Sequence, residues 1–483
     1  MDYASDAGLA RVKVRSQMPK RKKPKTIGEL RKSGYKVVGL KEEMRQNLIK
    51  KIENDEELFP GIIGFEDSVI PQIENAILAG QDIIFLGERG QAKSRLIRQM
   101  VSLLDDEIPV IAGCELNDNP YDPICRSCKD KIASSADEVE VAWLPREQRY
   151  SEKLATPDVT VADLVGEIDP IKVAEGRYLS DELTIHYGLI PRTNRGIFCI
   201  NELPDLSERI QVSLFNLMQE RDIQIKGYRI MLKLDVFVVA TANPEDYTNR
   251  GRIITPLKDR YGAQLRTHYP QSIQQEIDIV EQEYVDFPDT SRKVTVPDYM
   301  KEVIAEITAL ARKSPEINQR SGVSLRVSIS SYETLLGSAF KRGLRHKEPA
   351  APRVSDLPAI VPSITGKIEL ETVEEGREAK VVDGLMKKAV ANTFIRYFNP
   401  REFDEVIVKF DEGLVVETGS DTSSSGYPKQ MAEMGNLAEI IRRIEPSDKP
   451  AAIASAVEFV LEGLHLNRRL NRDDVDGHFR YRK

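Results

Sequence analysis

A chain of 483 residues with a net charge of -8, 41% hydrophobic and 30% charged residues is long enough for two to four packed domains and too apolar for a disordered chain. No run approaches the roughly 18 apolar residues of a membrane-spanning helix, and the N-terminus lacks the apolar centre of a secretory signal. Four cysteines make no disulfide framework, so a cytoplasmic protein is expected.

In chain order, residues 11–36 come first, with eleven Lys or Arg against one acid, Glu29. They read as a solvated basic arm, or as a contact to nucleic acid or an acidic partner. No aromatic residue interleaves its densest stretch, "KRKKPK", and the whole chain is acidic, so nucleic-acid binding is not favoured. "KEEMRQNLIKKIE" sets Met44, Leu48, Ile49 and Ile52 on one helical face. Beyond the Pro60-Gly61 break, a helix points Val69, Ile73 and Ile77 inward. "QDIIFLGERG" is a buried strand entering a glycine turn, and "AKSRLIRQMVSLL" is the helix after it, with Leu96, Ile97, Met100 and Leu104 apolar. "IPVIAG" (108–113), "GIFCIN" (196–201) and "DVFVVATAN" (235–243) are further buried strands. Separated by helical patterns, such runs predict a parallel sheet covered on both faces. Residues 271–345 carry three helical patterns, and Pro352, Pro358 and Pro362 mark a boundary near 351. The last segment holds a Ser/Gly loop, "TGSDTSSSGYP", and two amphipathic helices, "NLAEIIRRI" and "AIASAVEFVLEGL".

The octet "GERGQAKS" (87–94) lies between a strand and a helix. Backbone N–H groups in such a turn, with a helix N-terminus behind them, can surround a phosphate. Lys93 would place a point charge on the terminal phosphates, and the Ser94 hydroxyl would ligate Mg²⁺. Ala92 replaces the last glycine of the usual pattern and adds one methyl at a position that can enter the helix. A chance loop–helix junction is the competing explanation of the octet alone. Downstream, "RGIFCINELPDL" (195–206) brings Asn201 and Glu202 to the tip of a buried strand. In nucleoside triphosphatases that tip carries an acid associated with Mg²⁺ and then a glutamate that polarises the attacking water. Glu202 suits the base role, whereas the neutral amide of Asn201 holds the ion's water shell less strongly than a carboxylate. The plainer alternative is a core strand ending in a cap. In "VFVVATANPEDY" (236–247), Asn243 ends another strand, where its amide can hold the attacking water or simply initiate an Asn-Pro turn. Chance rarely makes three such pieces in this order on strand tips.

On these residues the chain resembles the AAA+ ATPases of the MoxR and magnesium-chelatase branch, over about residues 26–345. The resemblance implies an α/β P-loop NTPase fold, a parallel sheet sandwiched by helices with an α-helical lid; an extra α-rich C-terminal domain lies outside it. That branch commonly has Ala before the loop lysine. "GFEDSVIPQIENAI" resembles the segment lining the adenine pocket, which assigns Ile63 and Gly64 to ATP together with Gly87, Glu88, Arg89, Gly90, Gln91, Ala92, Lys93 and Ser94. Ser94 and Asn201 are then the Mg²⁺ residues. Residues 158–198 resemble an insert that interrupts the second helix and returns to the second strand. "QERDIQIKGYRIMLKL" resembles the hairpin before the Asn243 strand, with its turn at Lys226-Gly227-Tyr228. "TPLKDRYGAQLR" resembles the arginine-finger segment and points to Arg260, with Arg250 and Arg252 as rivals and a surface pair with Asp259 as the bland alternative. "SGVSLRVSISSYETL" resembles the second sensor and points to Arg326, alternatively a solvated helix-start residue. Cations placed there would offset charge on the γ-phosphate oxygens. A finger acting on a neighbour's nucleotide requires an oligomer. The family implies rings, usually hexameric, and a von Willebrand A-type partner. The expected division is a basic arm and helix (1–57), a nucleotide-binding domain (58–270), a helical lid (271–350) and a C-terminal domain (351–483).

Cys114, Cys125 and Cys128 form C-x10-C-x2-C, a spacing that suits zinc, but no fourth Cys or His is near enough in sequence to complete a tetrahedron. Ordinary loop cysteines are the alternative, and Cys199 is expected to be buried. His186 belongs to no triad. No Gly-Ala-Phe-Thr-Gly-Ala-like loop occurs, which argues against the sigma-factor-activating branch. The chain is expected to be a Mg²⁺-dependent ring ATPase that remodels, or inserts metal into, a partner protein. The alternatives are a nucleotide-binding scaffold with weak hydrolysis, favoured by Asn201, and a magnesium-chelatase subunit for porphyrin.

Overall fold

Five parallel strands form the central sheet: β1 (Ile83–Leu86), β2 (Tyr150–Leu154), β3 (Gly196–Asn201), β4 (Val236–Ala242) and β5 (Ala263–Arg266). They lie in the order β5-β1-β4-β3-β2. The computed structural model describes residues 23–174, 182–220, 223–225, 228–230, 232–243, 252–291, 293–371, 376–475 and 478–483. Successive strand residues point to opposite faces, so the continuous apolar runs feed two cores. Ile84, Phe198, Ile200, Val238 and Ala240 face one core, while Phe85, Ile197, Cys199, Phe237 and Val239 face the other. The sheet covered on both faces is therefore as expected.

One strand is not. Residues 108–113 stand outside this sheet: Glu107–Ile111 pairs antiparallel with Val141–Pro145 in a separate ribbon. The place next to β3 is taken by "YSEKL", an edge strand with a single neighbour. An edge strand needs no apolar run, which is why its sequence gives no such signal.

Helices α1 (Leu40–Glu53), α2 (Val69–Leu78) and α3 (Lys93–Gln99) cover one face of the sheet, with Val69, Ile73, Ile77, Leu96, Ile97, Met100 and Leu104 buried as expected. The buried face of α1 is Leu40–Met44–Leu48, spaced one turn apart, and Ile52 is 48% exposed. The face therefore turns away from the Ile49–Ile52 side, because Glu43 is drawn inward. Arg149 Nη1 and Nη2 donate to Glu43 Oε1 and Oε2 at 2.6 and 2.7 Å, and the Asp105 N–H donates to Oε1 at 2.7 Å. On the other face pack α4 (Glu208–Glu220) and α5 (Thr255–Arg260), through Ile210, Leu214, Leu217 and Leu257. The hairpin before β4 is present, Ile223–Ile225 pairing with Tyr228–Ile230. Its turn at Lys226-Gly227 lies outside the described residues.

The lid helices α6 (Ile273–Glu283), α7 (Asp298–Ala311) and α8 (Arg326–His346) form where their periodicity predicts. One hydrophobic core runs from Val280 to Tyr481, joining them to α9 (Arg377–Tyr397) and α10 (Pro450–Leu466). Residues 271–350 and 351–483 thus share a core, and the prolines near 351 mark a turn inside it. "AIASAVEFVLEGL" is not amphipathic here, since α10 is buried all round from Ala451 to Leu464. Its two acids are matched inside the core. Glu458 accepts from the Tyr427 hydroxyl at 2.5 Å and the Ser355 N–H at 3.0 Å; Glu462 accepts from Arg472 and the Tyr481 hydroxyl, each at 2.7 Å.

Removing one partner of a buried ion pair leaves the other charge uncompensated. Glu43→Ala is therefore expected to destabilise the fold around the five-stranded sheet by about 3–5 kcal/mol. Denaturant unfolding followed by the fluorescence of the single tryptophan, Trp143, would measure it.

Candidate nucleotide-binding site

The turn from β1 into α3 is shaped by crowding. Gly90 has φ +77, and a Cβ on it would collide with the Ser324 side chain; a Cβ on Gly87 would collide with Thr267 and Gln91. Ala92 also has positive φ, +55, and forms the N-cap of α3 rather than entering the helix. For a residue with a Cβ this conformation costs about 1 kcal/mol. Gln91 fixes the loop from inside, its Oε1 accepting from the Glu88 N–H at 3.1 Å and the Thr267 hydroxyl at 2.6 Å.

Lys93 is only 7% exposed. Its ammonium donates to the Gly87 and Glu88 carbonyls at 2.5 and 2.8 Å and to Asn243 Oδ1 at 2.7 Å. The other end of the same amide, Asn243 Nδ2, donates to Glu202 Oε2 at 2.5 Å. Cation on one side and carboxylate on the other fix which way the amide points. Glu202 follows β3 with φ +57, and its N–H donates to the Thr241 hydroxyl at 3.0 Å. A residue in left-handed φ at a strand tip, linked through an amide to a buried lysine, is typical of sites that place a charge for chemistry.

Ser94 is the second residue of α3. One turn on, Arg98 donates to both Glu152 oxygens, at 2.9 and 3.1 Å. Glu152, on β2, also accepts from the Tyr150 hydroxyl at 2.9 Å and from the Asn201 amide. Burial opposes ionisation of Glu152, but hydrogen bonds from Arg98 and Tyr150 and the Arg98 charge hold its carboxyl below the usual range. The sequence drew attention to Asn201 and missed Glu152, because a glutamate in a polar edge strand carries no motif.

Ile63 and Gly64, with Gln91, Ala92, His268 and Leu325, line a narrow cleft of about 50 Å³ beside the loop. Residues beyond β5 pack over the loop. The Arg89 guanidinium pairs with Glu369 at 2.9 Å, and its carbonyl accepts from the Tyr269 hydroxyl at 2.9 Å. Arg326 begins α8, its N–H donating at 3.2 Å to Ser324, the residue against Gly90. Arg260 ends α5 and keeps other company: it donates to Gln219 at 2.8 Å, pairs with Asp259 at 3.3 Å and lies 5.2 Å from the Phe215 ring centroid. Of its rivals, Arg252 is exposed and Arg250 lies outside the described residues. Cys199 is buried in β3, where burial pushes its thiol up. Cys114, Cys125 and Cys128 converge on one point, joined there by Asp118.

The fit to a nucleotide rests on Lys93. A buried ammonium facing carbonyl and amide oxygens suits an incoming group that brings negative charge.

The sigma-54 interaction domain, an AAA+ domain, matches residues 175–257, the stretch that holds Asn201, Glu202 and Asn243. A "Magnesium-chelatase subunit ChlI homolog" of Methanocaldococcus jannaschii is 26% identical over 232 residues, which cover 46% of this chain and 58% of that protein. The chain is similar to AAA+ ATPases of the magnesium-chelatase and MoxR branch. A second relative, YeaC of Bacillus subtilis, named as uncharacterized, is 25% identical over 41% of this chain and 62% of its own length. The chain thus spans 58% of the ChlI homolog and 62% of YeaC. Among solved structures, BchI in complex with BchD of magnesium chelatase is 19% identical, covers 67% of this chain and 98% of its own, and superposes with a TM-score of 0.34, too loosely to add to the sequence match.

Gly90→Ala puts a side chain both into left-handed φ and against Ser324. Nucleotide affinity is expected to fall about tenfold, equivalent to about 1.4 kcal/mol of strain, without loss of helical signal. Titration with a fluorescent ATP analogue, alongside circular dichroism, checks it.

Proposed function

We propose that this protein is a Mg²⁺-dependent AAA+ ATPase that works in the cytoplasm as a hexameric ring. It couples ATP hydrolysis to remodelling of, or metal insertion into, a partner protein of the von Willebrand A type. The observation that carries this reading is the unbroken line Lys93–Asn243–Glu202. Lys93 meets the terminal phosphates, the Asn243 amide positions a water, and Glu202 draws a proton from that water as it attacks. Ile63 and Gly64 receive the adenine, with the Gly87–Ser94 backbone around the phosphates. The Ser94 hydroxyl and the Asn201 tip would hold Mg²⁺, which would supply charge neutralisation for the phosphates when bound. Glu152, ionised and hydrogen-bonded to Asn201, restores to that tip the carboxylate that Asn201 lacks. Arg326 senses the nucleotide from the lid. Arg260, exposed on α5, serves the nucleotide of a neighbouring subunit. One observation favours a second reading, a scaffold that binds nucleotide and barely hydrolyses it: the amide of Asn201 itself.

Steady-state phosphate release and nucleotide binding separate the two. Glu202→Gln is expected to lower turnover at least about 100-fold while retaining ATP, and Lys93→Ala to lose ATP binding. Asn201→Asp is expected to keep or raise turnover. Full turnover in Glu202→Gln removes the base role, and negligible turnover in the wild-type oligomer leaves the scaffold reading.

Arg260→Ala is expected to cost about 10³-fold in turnover. Mixed with Lys93→Ala subunits it should regain part of that rate, since one variant keeps the loop and the other the finger. No recovery on mixing would place Arg260 outside the neighbour's site.

A further inference from the structure

We infer that Cys114, Cys125, Cys128 and Asp118 form a mononuclear, tetrahedral zinc site. Their ligand atoms all lie within 4.8 Å of one another. A tetrahedron with Zn–S bonds of about 2.3 Å has sulfur–sulfur edges of about 3.8 Å, so small side-chain movements close the cluster on an ion. A four-iron cluster would hold its ligands farther apart. Three thiolates with one carboxylate are too soft a set for Mg²⁺ or Ca²⁺.

Asp118 is 0% exposed. Its Oδ2 accepts from the Cys125 N–H at 3.0 Å, whereas its buried Oδ1 has no hydrogen-bond partner. A buried carboxylate oxygen left unpaired is costly, and in a native fold it calls for an ion or a donor. Its neighbours in the cluster are three sulfurs, and one metal ion would satisfy this oxygen and all three of them together.

The sulfurs are already oriented. The Leu116 N–H donates to Cys114 Sγ and the Cys128 N–H to Cys125 Sγ, both at 3.3 Å. Such second-layer donors favour thiolates and fix their direction. Cys125 is also the N-cap of the helix Arg126–Ser135 and Cys128 lies in its first turn, where the helix dipole stabilises negative charge. With four protein ligands the site is closed, as structural zinc sites are. Around it, Asn117 Nδ2 donates to the Arg192 carbonyl at 2.9 Å, Asn194 Nδ2 to the Leu116 carbonyl at 2.8 Å, and the Arg126 N–H to Glu182 at 2.8 Å. The zinc knot thereby holds the excursion from β1 to β2 against the segment that feeds β3.

The full chain, purified without chelator, is analysed for metal and then reduced and titrated with Zn²⁺ and Co²⁺. About one zinc per chain is expected, and with Co²⁺ the visible bands and sulfur charge transfer of a tetrahedral site. Asp118→Ala should weaken zinc binding at least about tenfold, and Cys128→Ser should abolish it. Chelation of the wild-type protein should lower its melting temperature and open residues 112–135 to protease. The inference falls if the protein is zinc-free and takes none up when reduced, if Asp118→Ala binds zinc as tightly as wild type, if an iron–sulfur chromophore appears, or if two of the thiols form a disulfide. Should Cys128→Ser fail to fold, the metal content of the wild-type chain still decides.

Discussion

The buried ammonium of Lys93 sets the terms for everything around it. A charge with 7% exposure has to be met by oxygens that cannot retreat, and a folded loop alone supplies too few. Strand order makes up the difference. The loop leaves β1 and Glu202 leaves β3, but these strands are not neighbours; β4 lies between them. Only a residue at the tip of β4 can span the gap, and Asn243 does so by accepting with its oxygen and donating with its nitrogen. Because all five strands run parallel, their carboxyl ends meet on one side, where such a relay can assemble.

Much of this was legible in the sequence, for a physical reason. Central parallel strands are buried on both faces, so "IIFL", "GIFCIN" and "VFVVATA" announce themselves, and the polar residues that end them stand out. Edge positions gave no such contrast. "YSEKL" was missed and "IPVIAG" was put in its place, since apolarity reports burial and not which ribbon a strand joins. Amphipathic periodicity found the helices of 271–350 but misjudged α10, whose glutamates are satisfied by Tyr427, Arg472 and Tyr481 from outside the helix.

The same limit explains the two acids that escaped notice. Glu152 accepts a hydrogen bond from Asn201, 49 positions away, and nothing local marks it. Asp118 sits between the cysteines, yet an aspartate four residues after Cys114 is unremarkable until the loop folds it inward beside Cys125. In both cases the residue type was visible and its partner was not.

The shared core beyond residue 271 has a mechanical meaning. Arg89 reaches from the phosphate loop to Glu369, and Ser324 rests on Gly90 at the root of α8. Since α8, α9 and α10 are packed into one body, α8 cannot swivel alone. A displacement of an ångström at Gly90 would be carried as a rigid tilt along that whole body, so its far end sweeps the widest arc, the way a long pointer magnifies the turn of a small dial.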